Sequence, residues 1–317
     1  MYRRLLYIAG GGAAIGGISQ WRISKNTSSK SEEEAFAHKL NQYNTESVDL
    51  ENALSPDSFK SYRLKEVKEL NHDTSILTFA LEDNTAEPVV PRRLNAPVAS
   101  CLLVKAQVNN EEVIRPYTPV NRNNDIGFMD LLVKKYENGK MSKYLHGLKI
   151  NDTVEFKGPL VKIDYKPNMK KEMAFIVGGT GITPAFQIIQ EILSNTKDDK
   201  TKISLLYANK TPEDILLKKE LDTLATQYPN QFNIFYTVDA DPKQTADNSI
   251  KGRGFISNEM MQHAGVPKPS SDVLVSVCGP PAFYNLLCGQ KKSPREQGEV
   301  TGMLKENGFN ETNVFKF

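Results

Sequence analysis

The motif GGTGITP, which begins at residue 178, has residue types suited to binding a phosphate. Its glycines, Gly178, Gly179 and Gly181, follow an apolar β-like run and let the backbone approach a ligand closely. Thr183 and Pro184 predict the N-cap and the first residue of a helix. Because the free N–H groups at a helix start attract anions, this corner predicts a pyrophosphate site. A glycine-rich turn without any nucleotide is the alternative.

Two further motifs end apolar runs in the same way. In ANKTPED, Thr211 and Pro212 repeat the capping pattern, and Asp214 falls in the first turn, where it can also simply complement the helix dipole. CGPP begins with Cys278. Its thiol either belongs to a ligand-binding site or is only a small residue at a tight turn. Ligands of an open parallel sheet bind beyond the carboxyl ends of its strands, so we expect the three corners to form one site.

The first half of the chain has two candidate anion sites of its own, RPYTP at residues 115–119 and GKMS at residues 139–142. Alternation along a strand puts Arg115 and Tyr117 on one face, which offers a guanidinium for a phosphate and a ring for stacking. GKMS offers a glycine turn followed by Ser142, which we expect to be the N-cap of the helix MSKYLHGL.

The elements that would carry these motifs differ between the two halves of the chain. Residues 59–165 consist of short strand-like runs separated by turns, which predicts a small antiparallel barrel. After residue 170, strand-like and helix-like runs alternate, which predicts a parallel sheet with helices on its faces. We therefore predict a β-barrel domain at residues 58–166, followed by an α/β domain at residues 167–317.

The amino-terminal residues form a separate segment. Residues 5–21 carry no charge, basic residues flank them on both sides, and no acidic residue precedes Glu32. This pattern is typical of a membrane anchor or a mitochondrial import signal, so we expect that role for residues 1–23, with a cleaved leader as the alternative. A polar tether is expected to follow at residues 24–57.

The composition argues against several kinds of function. Forty basic residues against 38 acidic ones leave a net charge of +2, far below the basic excess of most nucleic-acid-binding proteins. The three cysteines include no C-x-x-C pair, and the four histidines lack ligand spacing, so we expect neither a disulfide framework nor a metal site. We expect a monomeric chain without a nucleic-acid partner.

Together the motifs resemble those of a known family. RPYTP, GKMS, VEFKGP, GGTGITP, YANKTPEDILL and CGPP occur in the order found in flavoprotein pyridine-nucleotide reductases, and residues 60–317 resemble the NADH-cytochrome b5 reductases. The closing GQKKSPREQGEV and VFKF, with the basic apolar leader, resemble the mitochondrial branch found in yeasts. The resemblance implies an FAD-binding β-barrel followed by an NADH-binding α/β domain, with cytochrome b5 or a similar acidic haem protein as electron acceptor.

The resemblance also implies roles for individual residues. Arg115 would bind the FAD pyrophosphate, with Tyr117 and Thr118 against the isoalloxazine. Thr183 would touch the flavin from the second domain, and Cys278 would pack against the nicotinamide as a thiol, not as a nucleophile. The predicted catalytic residues are therefore Thr118, Thr183 and Cys278. The predicted cofactor-binding residues are Arg115, Pro116, Tyr117, Thr118, Leu132, Lys134, Glu137, Lys140, Met141, Ser142, Gly178, Gly179, Thr180, Gly181, Thr183, Pro184, Asp214, Cys278, Gly279 and Pro280.

Nucleotide choice and one flavin contact depend on further positions. Asp214 would accept a hydrogen bond from the adenosine ribose and repel a 2′-phosphate, which favours NADH over NADPH. Many of these reductases carry a Gly-Gln-His turn before the arginine motif, where this chain reads EPVVPRRLNAPVAS. Flavin contacts from residues 88–100 are therefore left open.

The acceptor is the least specified part of the function. Residues 134–171 contain ten lysines against four acidic residues, an excess of six positive charges. Such a basic face would steer an acidic haem protein toward the chain. Solvated strand faces give the same pattern and are the alternative. The resemblance implies a location at the mitochondrial outer membrane or in the intermembrane space. A reductase with another acceptor, and a membrane-tethered binding protein without turnover, would share these motifs.

Overall fold

The computed structural model of the chain describes residues 52–83, 90–123, 125–241 and 247–317. All of them belong to one unit of the chain, Leu50–Phe317. The predicted anchor and most of the predicted tether lie outside the described residues. Among the described residues, no helix is both long enough and apolar enough to cross a bilayer.

The first half of the unit forms an antiparallel sheet, as predicted. Its elements are β1 (Lys60–Glu69), β2 (Thr74–Ala80), β3 (Glu82–Asp83), β4 (Val90–Pro91), β5 (Ser100–Val108), β6 (Glu111–Tyr117), β7 (Phe128–Lys134), α1 (Lys140–His146) and β8 (Thr153–Val161). Six strands pair in the order β6-β5-β8-β1-β2-β7. A bridge from Pro119 to Leu131 joins the segment after β6 to β7, so the two edges meet and the sheet closes into a barrel.

The interior of this barrel is filled with side chains. Phe79, Leu102 and Phe156 are fully buried, and the two phenylalanine rings meet edge to face with their centroids 4.8 Å apart. A filled barrel leaves no interior cavity for a cofactor. Any flavin must therefore bind on its outer surface.

Strands and helices alternate in the second half, and its strands form a parallel sheet, again as predicted. The elements are β9 (Glu172–Gly178), a 3-10 turn (Gly179–Gly181), α2 (Ile182–Ser194), β10 (Lys202–Asn209), a second 3-10 turn (Pro212–Asp214), α3 (Lys218–Gln227), β11 (Phe232–Val238), β12 (Ile250–Arg253), α4 (Asn258–His263), β13 (Val273–Cys278), α5 (Pro281–Leu287), α6 (Gly302–Glu306) and β14 (Val314–Lys316). The strand order is β12-β11-β10-β9-β13-β14. The order reverses between β9 and β13, and such a switch point is where open α/β sheets bind ligands.

The barrel and the parallel sheet share a hydrophobic core. Ala99, Val120 and Leu132 from the barrel side belong to the same buried cluster as Ile182 and Phe186 of α2. Burial of such side chains in a common cluster stabilises one arrangement of the two sheets. The cleft between them is therefore defined by packed elements and not by loops alone.

The predicted start of α2 is wrong. Gly181 is its N-cap and Ile182 its first residue, so Thr183 and Pro184 are the second and third helical residues. The Thr183 hydroxyl donates a hydrogen bond to the carbonyl oxygen of Thr180, 3.2 Å away. A glycine N-cap has no side-chain oxygen to bond the helix N–H groups, so the sequence pattern favoured the threonine instead.

The corner after β10 was predicted correctly at its start but not in its length. Thr211 is an N-cap and forms a reciprocal capping box with Asp214. One of the helix-like runs after residue 170, TPEDILLKKELDTLA, predicts a continuous helix, but Leu217 interrupts it with a left-handed conformation and a φ of 57°. α3 begins only after that residue.

Candidate active site

A cleft of about 1540 Å³ lies between the barrel and the carboxyl ends of β9, β10 and β13. Every catalytic and cofactor-binding residue predicted from the sequence lies in its wall. Residues 115–118 of RPYTP and all of GKMS line the barrel side, and the three glycine- or proline-containing corners line the opposite side. The carboxyl ends of the strands at the switch point therefore bring together motifs that are far apart in the sequence.

Arg115 and Tyr117 lie at the end of β6, two residues apart on one strand. The exposed Arg115 guanidinium donates to the carbonyl oxygen of Ile114, 2.8 Å away, and has no carboxylate within ion-pair distance in the described part of the chain. Tyr117 is half-buried, and burial raises the pKa of its phenol to about 12. The Arg115 guanidinium is therefore available to bind an anion, and the neutral ring of Tyr117 lies on the same strand two residues away.

The GKMS turn differs from the prediction, because Ser142 is not an N-cap. Gly139 has that position, and Ser142 lies inside the first turn of α1. The Ser142 hydroxyl accepts from the Tyr136 N–H at 3.1 Å and donates to the Gly139 carbonyl at 3.2 Å. A Cβ atom at Gly139 would lie 2.3 Å from that hydroxyl oxygen, so a side chain there would displace the Ser142 hydroxyl from these hydrogen bonds. Lys140 is exposed and forms an ion pair with Glu111.

The glycine corner after β9 brings backbone, not side chains, to the cleft. Gly179 has a φ of +56°, and an added Cβ atom would meet no atom of the described residues within 4 Å, so its peptide faces open space. At Gly181 a Cβ atom would lie 2.3 Å from the carbonyl oxygen of Cys278. The corner can therefore approach both a ligand and β13 only because these residues are glycines. Across the cleft, the hydroxyls of Thr180 and Tyr136 are 3.0 Å apart.

Cys278 ends β13 in the wall of the cleft and is half-buried. Burial raises the pKa of its thiol to about 11, although a hydrogen bond with Tyr284 and the charge of Lys291 act in the opposite direction. The group is therefore a neutral thiol at physiological pH, which fits a packing role and does not fit a nucleophile. Gly279 follows it, and a Cβ atom there would lie 2.7 Å from the Phe283 ring.

Asp214 is buried and has partners on both of its oxygens. One oxygen accepts from the backbone N–H and hydroxyl of Thr211, and the other lies 3.0 Å from the ammonium of Lys134. Lys134 also pairs with Asp73 at 2.8 Å. Donor atoms of His72, Asp73 and Asp214 lie within 4.8 Å of one another. The Lys134 ammonium already compensates the two carboxylates in part, so this group does not call for a metal ion.

Sequence reasoning missed several residues of the cleft. Asn209, the last residue of β10, is only 6% exposed, and neither its amide nitrogen nor its oxygen has a hydrogen-bond partner among the described residues. Its position within ANKTPED, at the end of a strand, was the only signal. Cys101, Lys162 and Lys291 also line the cleft. Lys291 comes from GQKKSPREQGEV, a segment that the sequence analysis recognised but to which it assigned no site residue.

Comparison with known proteins agrees with this geometry. Residues 61–165 match the family model of the oxidoreductase FAD-binding domain, and residues 175–289 match that of the oxidoreductase NAD-binding domain. NADH-cytochrome b5 reductase 2 of Kluyveromyces lactis is 47% identical over 253 residues, which cover 79% of this chain and 81% of that protein. The chain belongs to the NADH-cytochrome b5 reductase family.

The family extends beyond fungi and includes a solved structure. An NADH-cytochrome b5 reductase-like protein of Arabidopsis thaliana is 45% identical over 271 residues, which cover 84% of this chain and 78% of that protein. The cytochrome b5 reductase domain of Ulva prolifera nitrate reductase superposes with a TM-score of 0.71 at 32% identity and covers 84% of this chain and all of that one. The two-domain architecture of this reductase is thus shared with a solved relative.

Three features of the cleft fit the FAD and NADH that these domains bind. The buried amide of Asn209 has no hydrogen bond within the described part of the chain, which is costly unless a ligand supplies one. Gly179 leaves its peptide open toward the cleft, as a dinucleotide phosphate site requires. The Arg115 guanidinium, without a carboxylate partner in the described residues, suits a diphosphate.

Proposed function

We propose that this chain takes a hydride from NADH onto a bound FAD and passes electrons one at a time to cytochrome b5. The observation that carries the proposal is the single cleft in which motifs of the FAD-binding and NAD-binding domains meet. Relatives that share close to half of the sequence are named for this reaction. Bound FAD supplies the redox chemistry, because it accepts two electrons together and can release them singly.

The protein contributes binding and orientation. Arg115 binds the FAD diphosphate, and Tyr117 and Thr118 contact the flavin ring. The backbone of the Gly179 corner and the amide of Asn209 bind the dinucleotide. These contacts bring the two reacting rings together, which lowers the entropic part of the barrier.

Asp214 makes NADH the preferred nucleotide. Its carboxylate lies in the cleft wall after β10, where the adenosine ribose of a dinucleotide bound at the switch point would lie. A carboxylate accepts hydrogen bonds from ribose hydroxyls and repels a 2′-phosphate.

Steady-state turnover with purified cytochrome b5 tests the proposal. The flavin-loaded chain should reduce the haem with NADH, and it should reduce ferredoxin or a quinone more slowly. Arg115→Ala should lose much of its flavin, and Lys143→Ala, a change at an exposed lysine outside the cleft, should retain it. Efficient turnover with a quinone or an artificial acceptor but none with cytochrome b5 would contradict the assigned acceptor.

The mitochondrial location and the membrane anchor belong to the same proposal. They are supported by the uncharged residues 5–21 between basic flanks and by the likeness of the closing segment to the mitochondrial branch. Carbonate extraction of mitochondria should leave the full chain in the membrane, and a chain that begins at Ser31 should be soluble and active. Complete release of the full, uncleaved chain by carbonate would contradict an anchor.

A further inference from the structure

Three ionised side chains join the barrel to the parallel sheet at one end of the cleft. The Lys134 ammonium, at the end of β7, lies 2.8 Å from Asp73 and 3.0 Å from Asp214. Asp73 belongs to the turn between β1 and β2, and Asp214 belongs to the NAD-binding side. The side chains of Lys134 and Asp214 are only 16% and 8% exposed. Because they are shielded from water, their charges interact more strongly than surface pairs do.

All three groups are charged at neutral pH. Burial by itself would raise the pKa of both carboxyl groups, but hydrogen bonds from Lys134 and from a neighbouring threonine, together with the charge of Lys134, outweigh it, so the pKa values of Asp73 and Asp214 are lowered. Burial would likewise lower the pKa of Lys134, and its two carboxylate partners raise it instead. Two negative charges thus share one positive charge, and the cluster has a net charge of −1.

Each carboxylate has a separate second anchor. The hydroxyl of Thr74 donates to Asp73 at 2.8 Å, and Thr211 donates to the Asp214 oxygen that faces away from Lys134. A threonine of its own domain therefore holds each carboxylate in place, and both carboxylates pair with the Lys134 ammonium between them. If one carboxylate lost its charge, the ammonium would pair more fully with the other.

We propose that Asp73 is a positioning residue for the nucleotide: it withdraws part of the Lys134 charge from Asp214 and so sets how strongly Asp214 accepts the adenosine ribose. This inference rests on the proposed function, in which Asp214 binds that ribose. With Asp73 in place, Asp214 keeps negative charge for the ribose hydroxyls, and the cluster repels a 2′-phosphate. Asp73 itself lies in the FAD-binding domain, so a residue of that domain takes part in choosing the nucleotide.

The test compares three variants of the flavin-loaded, full-length chain. Asp73→Asn removes the charge and keeps the shape of the side chain, and Asp73→Glu keeps the charge. Asn71→Ala is the matched control, because Asn71 lies in the same turn and also contacts the NAD-binding side, through a 2.9 Å hydrogen bond from its side-chain amide to the Glu213 carbonyl. It removes a link between the domains without changing the charge of the cluster.

Asp73→Asn should raise KM for NADH about fivefold with kcat within about twofold. The ratio of kcat/KM for NADH to that for NADPH should fall about tenfold, because the net charge that repels the 2′-phosphate is gone. Titration calorimetry should show the same loss of preference: the dissociation constant for NADP⁺ divided by that for NAD⁺ should fall. Asp73→Glu should restore most of the ratio, and Asn71→Ala should leave it unchanged.

Two results would overturn the inference. One is an unchanged nucleotide ratio in a folded, flavin-loaded Asp73→Asn chain. The other is an equal loss with both nucleotides in Asp73→Asn and Asn71→Ala, which would make the cluster only a structural link. If the unmutated chain fails to bind NAD⁺, the proposed function fails and this inference fails with it. Normal NAD⁺ binding with an unchanged ratio contradicts the role of Asp73 alone.

Discussion

Cys278 ends β13 in the wall of the cleft, against the backbone of Gly181 in the neighbouring corner. Its raised pKa keeps it a neutral thiol, so its contribution is its size and its polarisable surface. The sequence predicted this residue because it ends a strand at the expected ligand edge. Asn209 ends a strand in the same way and was missed, since its lack of hydrogen-bond partners in the described part of the chain becomes visible only in the folded structure.

Cys278→Ala should fold and retain FAD but reduce its flavin with NADH at least about tenfold more slowly, equivalent to roughly 1.4 kcal/mol of barrier. The physical reason is a looser fit of the nicotinamide against the strand end. Stopped-flow absorbance at saturating NADH measures the rate. Cys288→Ala is the control, because Cys288 is buried at the end of α5 and does not line the cleft. An unchanged rate in Cys278→Ala would make the thiol merely part of a turn.

At the scale of elements, the corners were predictable and their details were not. Glycine, threonine and proline mark strand ends and helix starts in the sequence, so the three corners of the parallel sheet were found. The N-caps of α1 and α2 are glycines without a side-chain signal, and the sequence pattern therefore placed both helix starts too late. The strands of the barrel were found because they are short strand-like runs separated by turns.

Gly181→Ala should separate the corner after β9 from β13. The new Cβ atom would lie 2.3 Å from the carbonyl oxygen of Cys278, although the φ of Gly181, −60°, is ordinary for alanine. We expect a loss of about 2 kcal/mol in the free energy of unfolding and weaker NAD⁺ binding. Urea unfolding and calorimetric titration measure the two effects.

Gly147→Ala is the control for that experiment. Gly147 has a φ of −88°, and a Cβ atom there would be 3.4 Å from its nearest neighbour, an ordinary contact. This variant should keep both the stability and the NAD⁺ affinity of the unmutated chain. Equal stability of the Gly147→Ala and Gly181→Ala chains would show that the approach of the two strand ends is not tight.

At the scale of the whole molecule, the two sheets create a cleft that neither forms alone. A shared hydrophobic cluster fixes the sheets, and the ion cluster of Asp73, Lys134 and Asp214 crosses between them. The sequence predicted both sheets but not the path of residues 289–300. That segment is fixed by the buried Lys316, whose ammonium donates to the carbonyl oxygens of Gln290 and Glu299. Such a tertiary contact has no local pattern.

The ion cluster also predicts how stability depends on pH. The pKa values of Asp73 and Asp214 are lowered in the folded chain, so their stabilising effect is complete above their ordinary value of 3.8 and is lost as the pH falls through the lower folded values. The urea midpoint should therefore drop as the pH falls below about 4. Asp73→Asn should have a smaller drop.

Asp164→Asn is the control for the acid series, because Asp164 forms an exposed ion pair with Lys166. Exposed pairs contribute little to stability, so this variant should follow the unmutated chain at every pH. If Asp73→Asn follows the unmutated chain equally closely, the ion cluster does not stabilise the fold.

The most direct test of the central claim is the absorbance spectrum of the purified chain, first with NADH and then with oxidised cytochrome b5, in the absence of oxygen. The protein should show a flavin band near 450 nm, at about one flavin per chain, that bleaches with NADH and returns as the haem becomes reduced. A colourless chain after gentle purification, or a flavin that NADH does not bleach, would contradict the account.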